Sequence, residues 1–370
     1  MDTTAPDPAA LGLDTRSWLP DRHDHGIAIV GCGGITNDGH LPAYTSHGLN
    51  VVGCYDIDPA AALRTAERWG IRRVFDSLEE VAGDPSVEIA DIAVPAWRQL
   101  ELVRTLAGAG KHLLCQKPLS DDLTQAVEIV DCAEAAGVKL AVNQQYRWSP
   151  VVRAMHTLMA QGRIGTPTAA FIHESLVNPW ELWPWLMKVP QLEVMYHSIH
   201  YLDGMRFLLG AHGEPEWVTS RHTRHPLQTP SAETKTVTIL DYPDGLQAFV
   251  AVDHNDRSDD VFGRVRVLGA EGVTSGTMGL SYDYPHGRAD TLRWSAHDDP
   301  GGGFETDLPG RWIPEGFVGP ISSLMSAIND DTEPPTSGRD NLNTLRLVHA
   351  AYRSAAENRS VRPTEIDERI

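Results

Sequence analysis

Residues 26–36 read Gly26-Ile-Ala-Ile-Val-Gly31-Cys-Gly33-Gly34-Ile35-Thr36. Four consecutive apolar residues running into paired glycines describe a buried strand that turns sharply at its C-terminal end. Glycines at 31 and 33 match the start of G-x-G-x-x-G, in which backbone must turn tightly and approach a pyrophosphate closely. The amides of the helix that follows, with the positive end of its dipole, suit that anion. Gly31, Gly33, Gly34 and Ile35 are therefore the candidate phosphate-side residues. The third glycine position is Thr36, a departure that could loosen the packing of helix on strand or add a hydroxyl.

Working outward, the pattern from 26 to about 147 alternates short β-rich runs with helical stretches. NVVGCYD (50–56), RVFDS (73–77), VEIADIAVP (87–95), KHLLCQKP (111–118) and VKLAVNQQY (138–146) read as further strands. Six strands alternating with helices call for a parallel sheet covered on both faces. VEIADIAVP reads as fully apolar. Asp56, at the tip of the second strand, is placed to accept the ribose hydroxyls of an adenosine and to repel a 2′-phosphate. With Ile57 and Asp58 following and no arginine before Arg64, NAD is favoured over NADP.

After SPVVRAMHTLMAQGRIG the texture changes to β-rich runs joined by hairpin signals, Asp244-Gly245 and Gly269-Ala-Glu-Gly272 being the clearest. Two helices, near 317–329 and 339–357, close the chain. The expected organisation is an N-terminal extension (1–25), an α/β Rossmann dinucleotide-binding domain (26–147) and an α+β domain with a largely antiparallel open sheet (148–370). The extension reads as mobile or loosely packed, with His23 and His25 as tail residues.

Composition bounds the rest. The 370 residues include 31 basic and 50 acidic side chains, a formal charge of −19, which argues against nucleic acid and against anionic membrane surfaces as partners. No run of 18 apolar residues is present, and the N-terminus lacks a secretory signal pattern. Four cysteines without CxxC spacing (Cys32, Cys54, Cys115, Cys132) suggest buried, reduced thiols and a cytoplasmic setting. The single sequon at Asn358 then carries no meaning.

The strand–GxGxx–helix start, the acidic second strand tip, the apolar strand ending in Pro95, and GKHLLCQKPLS (110–120) together resemble the Gfo/Idh/MocA family, that is glucose–fructose oxidoreductase, inositol dehydrogenase and relatives. VKLAVNQQYRWSP and YHSIHYLDGMRFLLG (196–210) fit as well, so the likeness covers nearly the whole chain after the extension. It implies that Lys117 points into a cleft between domains and hydrogen-bonds a substrate hydroxyl beside the nicotinamide. Partial burial and a cationic nicotinamide would keep its pKa low enough for proton transfer. A lysine salt-bridged at a domain seam is the competing reading.

On the same resemblance Pro95, Gln116 and Asn143 fall on the cofactor side, and His200 is the acid–base histidine. Three departures stand out: Gln116 where the family usually has Glu, Tyr196 where most members have an aspartate, and Gln99 where many have a histidine. If YHSIHYLD opens a helix, Tyr196 and His200 share a face, with Asp203 one turn on. Tyr196 could then polarise the substrate oxygen. Arg147 either meets substrate or pairs with Asp203. Trp180, Trp183 and Trp185, with Lys188 and Gln191 as weaker companions, could lid a sugar site, or pack at a subunit interface. His197 and Asp203 are further substrate-side candidates. His197 and His200 could also suggest a metal pair, but no third ligand is evident in the sequence, so no metal is expected.

The function expected is NAD-dependent hydride exchange with a secondary alcohol of a sugar or polyol, in a homodimer or homotetramer. Two other classes stay open. One is a glycoside-cleaving enzyme that retains NAD and works by transient oxidation and elimination, for which Tyr196 would be a workable carbon base. The other is a non-catalytic dinucleotide sensor.

Overall fold

The structure is a computed structural model that describes residues 7–16, 18–282, 284, 287–299 and 301–366. The chain divides into two compact units, each discontinuous in sequence. Of the described residues, the nucleotide unit holds those in 18–145 and 314–345, and the second unit holds those in 7–16, 146–313 and 346–366.

In the nucleotide unit, strands β1 (Ile27–Val30), β2 (Val51–Tyr55), β3 (Ile89–Ile92), β4 (His112–Gln116) and β5 (Leu140–Asn143) form a parallel sheet of order β2-β1-β3-β4-β5. Every residue of β1, β3 and β5 is buried. A parallel sheet covered on both faces demands that pattern. Helices α1 (Leu41–Ser46), α2 (Pro59–Trp69), α3 (Leu78–Gly83), α4 (Gln99–Gly108) and α5 (Leu123–Ala135) alternate with the strands. Their ends follow local chemistry. Asp58 caps α2 by accepting from the Ala60 amide, with Pro59 at the first helical position, and Gly70 ends it at φ 67°.

Two expectations change here. RVFDS is no sixth strand: it makes one isolated bridge, Cys54 to Val74, while Phe75 folds onto Gly53, where a Cβ would lie 2.3 Å from its ring. VEIADIAVP is not purely apolar in its environment either, because Asp91 is fully buried within β3.

In the second unit, α6 (Pro150–Ala160), β6 (Pro167–Ser175) and α7 (Ile199–Leu208) precede a run of seven strands. These are β7 (Trp217–Thr223), β8 (Lys235–Asp241), β9 (Gln247–Asp253), β10 (Phe262–Gly269), β11 (Gly272–Thr277), β12 (Thr291–Ala296) and β13 (Phe304–Asp307). The sheet order is β13-β12-β11-β10-β6-β9-β8-β7, antiparallel except for the β6–β9 pair. Asp244-Gly245 turns β8 into β9, with Gly245 at φ 85°. Burial alternates along β8 and β10, so one sheet face is packed and the other carries exposed Phe171 and Val237.

The helices α8 (Val318–Asp330) and α9 (Gly338–Glu357) do not both belong to the second unit. α8 packs on β4 and β5. The Thr336 carbonyl accepts from Val142, and Ser337 bridges Ala141, which closes the open edge of β5. The boundary between units falls inside α9, after Leu345. The N-terminal residues are also better anchored than a loose tail. Leu13 is buried and Asp14 pairs with Arg153. His25 is fully buried, its two nitrogens bonded to Glu88 at 2.9 Å and Asn329 at 3.0 Å.

Candidate functional site

The candidate residues fall on both units. In the nucleotide unit, β1 ends at Gly31, whose φ of 104° is one that side-chain-bearing residues avoid. A Cβ on Gly31 would come within 2.5 Å of the Ala93 carbonyl oxygen, whereas one on Gly33 would meet nothing within 4 Å. The glycine loop is therefore tight against the sheet at its first glycine and open above its second, as a pyrophosphate cradle requires. Gly34 and Ile35 begin the helical segment beyond it, and Gly34 is exposed. Thr36 is buried and donates its hydroxyl to the Gly31 carbonyl at 2.6 Å. The departure from a third glycine is thus absorbed as a brace on the turn.

Asp56 accepts from the Cys32 amide at 2.7 Å through one oxygen and from the Asp58 amide at 2.8 Å through the other. These bonds fix the half-buried carboxylate beside the glycine loop and leave lone pairs for two further donors. These residues fit a dinucleotide: an open glycine turn for the pyrophosphate and an oriented carboxylate for the ribose.

Lys117 stands at the end of β4, joined to Pro118 by a cis peptide bond. Its surroundings are organised by residues far apart in sequence. The buried Gln99 amide nitrogen lies 2.8 Å from the carbonyls of Gln116 and Pro118 and 3.2 Å from that of Leu119, clamping the turn from α4. Gln116 accepts from the Lys117 amide at 2.7 Å. Its own amide nitrogen, like that of Asn143, lies 3.2 Å from His40 Nε2. Two donors on Nε2 make it an acceptor, so Nδ1 carries the proton and gives it to Asp91 at 2.7 Å. Tyr44 donates to the same Asp91 oxygen at 2.7 Å. Asn143 Oδ1 is buried without a hydrogen-bond partner. Burial lowers the Lys117 pKa to about 7. Gln116, where a glutamate is usual, adds no charge to oppose that fall. Pro95 ends the turn after β3 and starts a short 3-10 segment (Ala96–Arg98).

Sequence reasoning missed His40 and Asp91. Their one signal was a carboxylate inside an otherwise apolar strand, and its partner lies 51 residues away.

In the second unit, the segment before α7 is not plain α-helix. Val194–Ser198 forms a π turn that leads directly into α7. Tyr196 sits in that wider turn and His200 in the helix, so the simple four-residue spacing does not apply. Tyr196 is buried and packs edge-on to Trp185, with ring centroids 5.4 Å apart. His200 is buried and stands perpendicular to Trp312 at 5.4 Å. Arg147 and Asp203 engage each other in a buried fork, Nε to Oδ2 at 2.6 Å and Nη2 to Oδ1 at 2.8 Å. Of the two readings of Arg147, the structure therefore contains the pair with Asp203. Trp183 packs on Tyr284 at 5.5 Å. Trp180 is 4% exposed and faces His254 edge-on at 5.1 Å, which places it in the interior of this unit rather than on a lid.

His197 joins a buried polar nest with Glu174 from β6, Glu193 from the residue before the π turn, and His254 from the residue after β9. His197 Nε2 is 3.3 Å from Glu174 Oε2, while His197 Nδ1 and His254 Nε2 are each 3.5 Å from Glu193 Oε1. Burial alone would raise the Glu193 carboxyl; His197 and His254 beside it prevail and hold it well below the usual carboxylate range. Burial, with His197 next to it, lowers His254. Two further potential ligands thus stand beside His197, Glu174 and His254, both supplied by the sheet and invisible to local spacing, while His200 is not among them.

Among the described residues no helix is long and apolar enough to cross a membrane. The family model described as "Oxidoreductase family, NAD-binding Rossmann fold" matches residues 25–144, and "Oxidoreductase family, C-terminal alpha/beta domain" matches residues 157–362. The chain is 31% identical over 342 residues to a D-apiose dehydrogenase of Paraburkholderia graminis, covering 90% of this chain and 88% of that one. It is 27% identical over 323 residues to an inositol 2-dehydrogenase of Rhizobium meliloti, covering 83% and 89%. Its fold resembles that of an oxidoreductase from Agrobacterium radiobacter solved in complex with NAD+, L-tartaric acid and magnesium, with TM-score 0.79, 22% identity, and coverage of 92% and 99%. With both family models matched in sequence, and a Rossmann sheet followed by a mostly antiparallel one, this chain belongs to the Gfo/Idh/MocA family of NAD-binding oxidoreductases.

Proposed function

We propose that the protein is an NAD-dependent dehydrogenase that oxidises a secondary alcohol of a sugar or polyol, or reduces the matching ketone. The observation that carries this reading is Lys117, an amine brought to a pKa of about 7 by burial at a strand end clamped by Gln99. A group that titrates near neutrality can both release and accept a proton at working pH, which a surface lysine cannot. The chemistry that a bound nicotinamide supplies is acceptance of hydride from a carbinol carbon.

Gly31, Gly33, Gly34 and Ile35 hold the pyrophosphate, and Asp56 accepts from the ribose hydroxyls. Its carboxylate also disfavours a 2′-phosphate, which favours NAD over NADP. Asn143 offers its unpartnered oxygen to the nicotinamide side, and Pro95 and Gln116 line the same end of the sheet. Lys117 in its neutral form takes the hydroxyl proton. His200 is the acid–base histidine of the second unit, and Tyr196 orients the sugar. Arg147 and Asp203 support the segment between them rather than bind substrate.

The 31% identical D-apiose dehydrogenase, matched over 90% of this chain, supports an aldose as the first substrate class to try. Exposed Phe171 and Val237 on the open face of the sheet support a homodimer or homotetramer built there. The free cysteines, of which Cys32, Cys54 and Cys115 are buried and Cys132 half-buried, support a reducing, cytoplasmic setting. The test is a panel of aldoses and polyols with NAD+ and with NADP+, read at the reduced-nicotinamide absorbance. The reading requires at least one sugar oxidised with NAD+ preferred. A panel in which nothing is oxidised, with NAD+ demonstrably bound, would overturn it.

A further inference from the structure

We infer that Glu174, His197 and His254 form a binding site for a divalent transition-metal ion of the zinc class, with Glu193 as its outer carboxylate. The three residues present ligand atoms that all lie within 4.8 Å of one another. They come from three separate elements of one unit: the end of β6, the π turn, and the residue that follows β9.

Three observations carry the assignment. The first is spacing. A tetrahedral ion with bonds of about 2.0–2.1 Å holds neighbouring ligand atoms about 3.3 Å apart. Glu174 Oε2 and His197 Nε2 are already 3.3 Å apart.

The second is the orientation of the imidazoles. His197 turns Nδ1, and His254 turns Nε2, toward the same Glu193 oxygen at 3.5 Å. That leaves Nε2 of one ring and Nδ1 of the other for an ion. A carboxylate behind each liganding imidazole is the usual outer support of such a centre. Glu193 is itself held by Ser198 and Thr236, both of which donate their hydroxyls to it, so its position is fixed before any ion arrives.

The third is what is left unsatisfied. Glu174 and His254 are 2% and 1% exposed. Glu174 Oε1 accepts from Ser281 at 2.7 Å, but Oε2 has no hydrogen-bond partner, and neither does His254 Nδ1. Orphaned polar atoms at one buried point are rare in a folded interior unless something binds them. Trp180 stands edge-on to His254 and His197, at 5.1 and 6.4 Å, and walls the nest with apolar surface. The hydroxyl of Tyr201, also buried without a hydrogen-bond partner, belongs to the same neighbourhood, its ring 5.2 Å from that of His197.

Two imidazoles and one carboxylate leave a fourth position for water or a ligand oxygen. An ion here ties the π turn to two strands of the sheet, and that turn leads into the helix bearing His200. It therefore acts as a positioning element for that helix, independently of dinucleotide binding.

The experiment uses the full-length protein, stripped by dialysis against dipicolinate and titrated with Co2+ and then Zn2+. The expected result is one equivalent of Co2+ with the visible bands of a four- or five-coordinate site, displaced by Zn2+, and a thermal midpoint raised by Zn2+. Glu174→Gln and His254→Ala should each weaken binding at least about 100-fold, and Glu193→Gln about 10–100-fold through loss of imidazole support. Near-isosteric Glu174→Gln keeps the test valid where His254→Ala fails to fold, and far-ultraviolet dichroism monitors both. Absence of a stoichiometric cobalt spectrum and of any zinc-dependent thermal shift in the wild-type chain would overturn the assignment. Unchanged cobalt binding in Glu174→Gln would do the same, by placing the ion elsewhere.

Discussion

The two ends of this molecule's chemistry are built in opposite ways. In the nucleotide unit, groups converge because strands run parallel and end at the same edge: the Gly31 turn, Asp56, Pro95, Lys117 and Asn143 are all strand-end residues. Each therefore announces itself in sequence as a glycine, proline or polar residue terminating an apolar run. In the second unit, the convergence at Glu174, His197 and His254 depends on sheet register and on a π turn, neither of which has a local signature. The first design reads along the chain, while the second can be read only across it.

The sharpest way to test the nucleotide-unit half is Lys117→Met, which keeps most of the side chain's volume and removes the titrating amine. kcat should fall roughly 10²–10⁴-fold with NADH affinity unchanged, the range expected for loss of a general acid–base group. A loss of affinity instead would make the lysine a structural or cofactor-binding residue. The next effect lies in the second unit. Asp203→Asn leaves the buried Arg147 guanidinium without its carboxylate fork, so unfolding free energy should drop by about 3–5 kcal/mol in urea denaturation. A drop under about 1 kcal/mol would show that the pair is not what holds this segment.

What was legible follows the same divide. The Rossmann strands, the Gly31 and Gly33 turn, and the Gly245 hairpin each rest on short-range pattern, and each appears in the structure. Thr36 was legible as a departure, but its bond to the Gly31 carbonyl needed coordinates. The sixth strand failed because RVFDS has β-rich composition but only one residue that reaches a bridge. α8 was assigned to the second domain because it follows it in sequence; it packs on β4 and β5, and the turn after it, at Thr336 and Ser337, pairs with the open edge of that sheet. His25 looked like a tail residue, since nothing nearby in sequence shows that Glu88 and Asn329 enclose it. The Asp91–His40 pair, Gln99 as a clamp, and the interior position of Trp180 were likewise beyond local reading, because each depends on a partner in a distant segment.

Two smaller effects refine the comparison. Asp56→Ala removes a carboxylate that would accept from the ribose, a charge-assisted interaction of about 1.5–3 kcal/mol. NADH should bind roughly 10–100-fold more weakly, with NADPH nearly unaffected, as followed by energy transfer from tryptophan to the reduced nicotinamide. The smallest is the pH profile. A lysine whose pKa is lowered to about 7 is roughly one-tenth neutral at pH 6 and nine-tenths neutral at pH 8. Alcohol oxidation should therefore rise about tenfold between those values, while ketone reduction falls over the same interval. A flat oxidation profile would show that another group handles the proton.

The central claim is net hydride exchange between a sugar carbinol and NAD, and deuterium transfer tests it most directly. The best substrate from the aldose and polyol panel, labelled at its reacting carbon, is turned over with NAD+, and the nicotinamide is recovered. The account predicts reduced nicotinamide accumulating in step with ketone or lactone, with one deuterium on its ring. Substrate cleavage or exchange of label with solvent, with no accumulation of reduced nicotinamide, would contradict it.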